Sequence, residues 1–186
     1  MSELAYFLNR FLLQPQQNNA ASTALHTAAV LVPIIRHPTR PTLLFTRRSS
    51  QLRHHPSQVA FPGGKCDLDD PTLFATALRE THEEIGINSQ HIQLMGELPT
   101  VYSHTGHCVK PFLAVVEPSF TLKLNVDEVA QVFEVPLTYL LEPHHYTALH
   151  LGPPSQHRTV HFLQYAPQLI WGMTATILYD LAASMT

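Results

Sequence analysis

The chain has 186 residues, 45% of them hydrophobic and 13% charged, with a formal net charge of −3. That length supports one domain with a real core. The small net charge argues neither for nor against nucleic acid, but no Arg or aromatic pattern indicates its recognition, so no nucleic-acid partner is expected. Two cysteines, Cys66 and Cys108, make neither a disulfide framework nor a CxxC pattern, so both are read as thiols of a reducing, cytoplasmic protein.

In chain order, residues 3 to 13 predict an amphipathic helix with Leu4, Phe7, Leu8, Phe11 and Leu12 on one side. The segment lacks the basic-then-apolar order of a signal peptide. "QPQQNNAAS" reads as a polar linker, so residues 1–24 are taken as an N-terminal helix and linker and 25–186 as the main domain. "HTAAVLVPII" and "TLLFTRR" predict strands, and "VAFPGG" a short strand ending in a Pro-Gly-Gly turn. A helix follows, with Asp70 as expected N-cap, Pro71 at the first helical position and Gly86 as the stop. Its apolar stripe is Phe74, Ala77, Leu78, Thr81 and Ile85.

Further strands are expected in "HIQLMGELPTVYS", "CVKPFLAVVEP" and "EVAQVFEVPL", then a short helix in "PLTYLLE". "YTALHL" and "TVHFLQY" read as a hairpin, and a last helix is expected from about Trp171, with Trp171 and Met173 in the core. "LIWGMTATILYDLAA", broken by Gly172 and Asp180, is too short and polar for a membrane span. Mixed strands around a central helix make an α/β or α+β sandwich.

Charge is unevenly placed. Arg36, Arg40, Arg47, Arg48 and Arg53 crowd one segment, and Asp67, Asp69, Asp70, Glu80, Glu83 and Glu84 crowd the next. A basic run followed by an acidic run suits an anion carried on a metal; two solvated faces of opposite sign fit as well.

The stretch "ALRETHEEIGI" weighs against the solvated-face reading. Like charges at helical spacing repel, yet Glu80 and Glu84 lie one turn apart, about 40° around the axis, with Glu83 on the adjacent sector. A merely solvated face is expected to carry Glu–Lys pairs, and this helix has no Lys. An all-oxygen set suits Mg²⁺ or Mn²⁺. "HTGHC" offers His104, His107 and Cys108 as part of a zinc site, but a second ligand pair is missing.

Taken together, "GGKCDLDDPTLFATALRETHEEIGI" resembles the Nudix hydrolase signature, with Arg79, Glu80, Glu83, Glu84, Gly86 and Ile87 in register. The gap from Asp70 to Arg79 is one residue longer than usual, and Asp replaces the usual Glu. Upstream, "LLFTRRSSQLRHHPSQVAFPGGKCDLDD" resembles the extra motif of the coenzyme A pyrophosphatase branch. Thr46, Arg47, Ser49, Leu52, His55, Gln58, Val59, Phe61, Pro62, Gly63, Gly64, Asp67 and Asp70 match, while Ser57 stands where Gly is usual. "DEVAQVFEVPL" and "WGMTATIL" resemble the branch too.

The resemblance implies a Nudix fold, an α/β/α sandwich around a mixed sheet, and metal-dependent hydrolysis of a diphosphate. It makes Glu80, Glu83 and Glu84 the metal ligands and Arg79 a residue that orients a glutamate. Glu128, in "VDEVAQ", is the candidate late ligand or general base, with a solvated turn acid as the equal alternative. Coenzyme A or an acyl derivative is the implied substrate. Arg47, Arg48 and Arg53 are candidates for its 3′-phosphate, with His55, Gln58, Gly63 and Gly64 also expected in the substrate site. Family members often form homodimers. Another nucleoside diphosphate derivative, or a non-catalytic nucleotide-binding module, are the competing readings.

Overall fold

A computed structural model describes residues 2–14, 28–103, 107–152 and 158–185. The expected linker at 15–22 lies outside them, as does His104.

The first helix, α1 (Glu3–Leu13), is capped by the Ser2 side chain, which accepts from the Ala5 amide. It buries Leu4, Phe7 and Phe11, whereas Leu12 is exposed. Strands β1 (Ala28–Ile35) and β2 (Thr42–Arg48) follow, joined by the HPTRP turn. They pair only at their shared end, Ile34 with Leu43 and Ile35 with Thr42. Beyond that point they splay, and the next segment enters the gap. There β3 (Val59–Ala60) pairs with β2, and β4 (Gly63–Lys65) pairs with β1. Gly63 and Gly64 are therefore strand residues against Val30 and Ala29, not the expected turn.

The central helix α2 (Leu73–Ile85) packs on β1 and β4. After it come β5 (Ile92–Glu97), β6 (Val101–Tyr102), β7 (Cys108–Val116) and β8 (Val129–Pro136). β7 runs parallel to β1 along its whole length, and β8 runs antiparallel to β2. The result is a mixed eight-stranded sheet. A four-residue helix α3 (Leu137–Leu140) leads to a smaller antiparallel sheet, β9 (Tyr146–Leu151), β10 (Arg158–Tyr165) and β11 (Gln168–Trp171). Helix α4 (Met173–Ser184) ends the fold.

The two-residue strand period sorts side chains onto the two faces of the main sheet. Ala29, Leu31, Phe112 and Ala114 meet Ala77 of α2, and Leu44 and Val116 meet Ile85. Val32, Ile34, Leu43, Phe45, Leu113 and Val115 meet α1 and α4 through Phe7, Phe11, Ile177 and Leu181. This is the expected α/β/α layering.

Three local expectations change. Thr72, not Asp70, caps α2: its side chain accepts from the Ala75 amide at 3.1 Å, and Pro71 lies outside the helix. Asp70 is drawn away by Arg79, as described below. The segment 168–171 is a strand, so the last helix starts at Met173. Trp171 is 40% exposed, because it stands on the outer face of the small sheet and stacks on Phe162.

Candidate active site

The site forms where α2 faces the gap between β1 and β2. The helix is placed by Ala77, Thr81 and Ile85, all fully buried. Its C-terminus is closed by Gly86, whose φ of 78° lies in the left-handed region that glycine tolerates. Two amides of the loop between β7 and β8 complete that end: Lys123 donates to the Ile85 carbonyl and Asn125 to the Glu84 carbonyl, both at 2.9 Å. The same loop carries Glu128 toward the helix, and the Ser49 amide fixes the Glu128 carbonyl at 2.8 Å.

Arg79 is committed to neighbours inside the motif. Its Nε and Nη2 make a forked pair with Asp70 at 3.0 and 2.9 Å, and Nη2 also donates to the Lys65 carbonyl at 3.0 Å. Nη1 donates to Glu80 Oε1 at 3.0 Å and Glu83 Oε2 at 2.9 Å. A planar fork with its donors so engaged orients the carboxylates around it. Asp70 in turn accepts from the Asp67 amide and the Thr76 hydroxyl. The Arg79 guanidinium, then the Asp67 amide, hold its carboxyl far below the usual carboxylate range. Sequence reasoning missed this partnership because Asp before Pro reads as a cap; the Asp–Arg separation along the helix carries no local signal.

Glu84 is the most buried carboxylate, 3% exposed. Its Oε2 accepts the Gly63 amide at 3.2 Å, and its Oε1 stands 4.0 Å from Arg48 Nη1. Burial pushes its carboxyl up to about 8; the Gly63 amide and Arg48 oppose this, while the charges of Glu80 and Glu128 reinforce it. Burial also raises Glu80, against the pull of Arg79, with Glu83 and Glu128 repelling it. Glu80 and Glu84 repel each other and both are repelled by Glu128, while Glu83 is exposed and turned to Arg79.

The glycines hold this arrangement. A Cβ on Gly64 would lie 2.4 Å from the Glu80 carboxyl carbon. Gly63, with φ of 148°, places its amide on Glu84. Ser57, where the motif usually has Gly, has a φ of 61°, so serine occupies the left-handed conformation that explains the usual glycine. His55 shares that conformation at φ 54°. Gln58 is tied in through its carbonyl, which accepts the Arg48 amide at 3.0 Å.

The arginines separate. Arg47 and Arg48 are adjacent in β2 and point to opposite faces. Arg48 reaches Glu84 on the α2 face, and Arg47 shares the face of Phe45. Arg53 is exposed in the loop before β3.

A divalent ion fits the carboxylates chemically. The donors are all oxygen, one is buried with no hydrogen-bonded cation, and their charges repel in its absence. Among the described residues no three His, Cys, Asp or Glu side chains form a group that could hold a metal ion by themselves. Of the HTGHC segment only His107 and Cys108 are described. An ion held by so few protein oxygens completes its shell with waters and a substrate.

A helix bearing paired glutamates, steered by an arginine and backed by strand glycines, is the signature of one family, and comparison agrees. The NUDIX domain family model matches residues 25–153; the chain belongs to the Nudix family. It is 45% identical over 183 residues to the uncharacterised Nudix hydrolase NudL of Photorhabdus laumondii subsp. laumondii, covering 98% of this chain and 97% of that one. The NudL of Yersinia enterocolitica is 42% identical over 179 residues, covering 96% and 91%. Among solved structures, a C. elegans Ap4A hydrolase binary complex aligns with a TM-score of 0.52 at 22% identity, over 60% of this chain and 80% of that one. A MutT/nudix family protein from Enterococcus faecalis aligns with a TM-score of 0.52 at 15% identity, over 97% and 68%. At those identities the likeness is one of fold. Among the described residues no helix is long and apolar enough to cross a membrane.

Proposed function

We propose that this protein is a divalent-metal-dependent diphosphatase that hydrolyses coenzyme A or acyl-coenzyme A to 3′,5′-ADP and (acyl) 4′-phosphopantetheine. One observation carries the hydrolase reading: Glu84, buried beside Glu80 and Glu128, has Arg48 4.0 Å away and no hydrogen-bonded cation, while Arg79 is spent on Asp70, Glu80 and Glu83. The coenzyme A assignment rests on the residues from Thr46 to Gly64 that resemble that branch.

In this reading Glu80 and Glu84 hold Mg²⁺ or Mn²⁺, with Glu83 contributing directly or through water. The ion supplies charge neutralisation of the diphosphate and acidification of a water. Arg79 orients Glu80 and Glu83. Glu128 serves as further ligand or as the base that takes the proton of the attacking water. Gly63 and Gly64 let the β4 backbone approach the site. His55 and Gln58 belong to the loop that meets the substrate, and Arg47 and Arg53 are assigned to the 3′-phosphate. The division at residue 24/25, a homodimeric state and a cytoplasmic location belong to the same proposal. Neither Cys66 nor Cys108 is in a disulfide, in keeping with a reducing compartment.

The test is hydrolysis of coenzyme A by the purified protein with Mg²⁺ or Mn²⁺, products resolved by chromatography, with Glu84→Gln as control. Release of 3′,5′-ADP and phosphopantetheine, lost in the variant, is the expected result. Turnover of ADP-ribose, a dinucleotide or a nucleoside triphosphate instead would overturn the substrate. Nucleotide binding without any turnover would make the protein a binding module.

A further inference from the structure

Arg48 has a fixed backbone and an unsatisfied side chain. Its amide donates to the Gln58 carbonyl, and the next amide, of Ser49, donates to the Glu128 carbonyl. The end of β2 therefore ties together the loop before β3 and the turn that carries Glu128. The side chain is different. Nε is buried without a hydrogen-bond partner. Nη1 stops 4.0 Å from Glu84 Oε1, beyond hydrogen-bond reach.

A guanidinium beside a carboxylate usually closes to paired bonds of about 2.8 Å. Here the guanidinium and the buried Glu84 carboxyl stay 4.0 Å apart, and the Arg48 Nε is left unsatisfied. The gap suits a third group. Glu84 requires a cation there, and Arg48 requires an anion. A divalent ion carrying a phosphoryl oxygen answers both.

We propose that Arg48 grips a non-bridging oxygen of the substrate's diphosphate, and that in the empty protein it rests unpaired beside the Glu84 carboxyl. This rests on the reading that the site takes a diphosphate, and it gives Arg48 a role apart from Arg47 and Arg53. It also makes the site selective for an ion and a diphosphate together. A divalent ion arriving alone at Glu84 is repelled by the Arg48 guanidinium; one arriving with its anion turns that repulsion into attraction.

Calorimetry separates these effects. Mg²⁺ alone is titrated into wild type, Arg48→Met, Arg48→Lys and, as a distant charge control, Arg40→Ala. Methylenediphosphonate, whose P–C–P bridge resists hydrolysis, is then titrated with Mg²⁺ saturating. Arg48→Met is expected to lose at least tenfold in diphosphonate affinity while its affinity for Mg²⁺ alone rises. Arg48→Lys is expected to recover part of the loss, and Arg40→Ala to match wild type. Diphosphonate affinity unchanged in Arg48→Met would overturn the proposal, as would an equal loss of Mg²⁺ affinity, which marks a residue that only supports Glu84. The probe contains no nucleotide or pantetheine. Wild type that binds it but leaves coenzyme A intact overturns only the coenzyme A assignment; wild type that does not bind it overturns the diphosphate reading and this proposal together.

Discussion

Gly63 and Gly64 are neighbours with different duties. A Cβ on Gly63 would lie 2.4 Å from the Ala29 carbonyl oxygen and 2.6 Å from the Val30 Cα, and its φ of 148° disfavours any side chain. The obstacle is backbone of β1, which cannot move without opening the sheet. On Gly64 the obstacle is the Glu80 carboxylate, the far end of a flexible side chain. Gly63→Ala is therefore expected to lower the melting temperature sharply. Gly64→Ala is expected to fold, with circular dichroism unchanged, and to lose about 10²-fold in turnover because Glu80 is displaced. Equal melting losses in the two variants would refute the division. In the sequence the two glycines look alike. Only the pairing of β4 with β1, a contact between segments more than 30 positions apart, tells them apart.

At the scale of the element, α2 is set by two residues with separable effects. Thr72 caps the helix, and Asp70 anchors Arg79 from outside it. Thr72→Ala is expected to cost about 1 kcal/mol of stability in denaturant melts, with turnover retained. Asp70→Asn leaves the cap in place, frees Arg79 and reduces turnover. Its stability penalty has a defined pH dependence. The Asp70 carboxyl is held below its ordinary value in the folded protein, so its contribution is complete above the unfolded value of about 3.9 and fades as pH falls below it. Wild type and Asp70→Asn should therefore converge in stability in acid; a gap that persists there would refute the ion pair as its source. The helix and its glutamates were legible from spacing. The cap was misplaced by two residues because Asp-Asp-Pro satisfies the local rules for a helix start, while the competing bond to Arg79 is tertiary. The adjacent arginines look alike in composition, while the strand period separates Arg47 from Arg48.

The fold as a whole carries the electrostatic strain of its site. Glu84 is raised to about 8 by burial, against an unfolded value near 4.3. The folded protein then holds a proton that the unfolded chain gives up. Stability is complete below the unfolded value and declines as pH rises toward 8, after which the penalty is constant. Chelator-treated wild type is expected to melt lower than Glu84→Gln above about pH 8, by roughly 4 °C or more, and the two should meet near pH 4. Adding Mg²⁺ at pH 8 should raise the melting temperature of wild type and not of Glu84→Gln. A wild-type curve that ignores both pH and Mg²⁺ would remove Glu84 from the metal site.

The sequence alone determined the strands of the main sheet, the central helix and its row of carboxylates. Each is written in local periodicity, and burial of an apolar face enforces it. It also determined the family, because the signature is contiguous. Tertiary structure decided which charges meet. The splay of β1 and β2 admits β4, β4 brings the Gly63 amide to Glu84, and the loop between β7 and β8 carries Glu128 toward the helix. Those encounters join segments far apart in the chain, and their energies depend on burial that no local pattern records. The same reason puts Trp171 on the surface and Asp70 on Arg79, where composition and spacing had favoured the core and the helix cap.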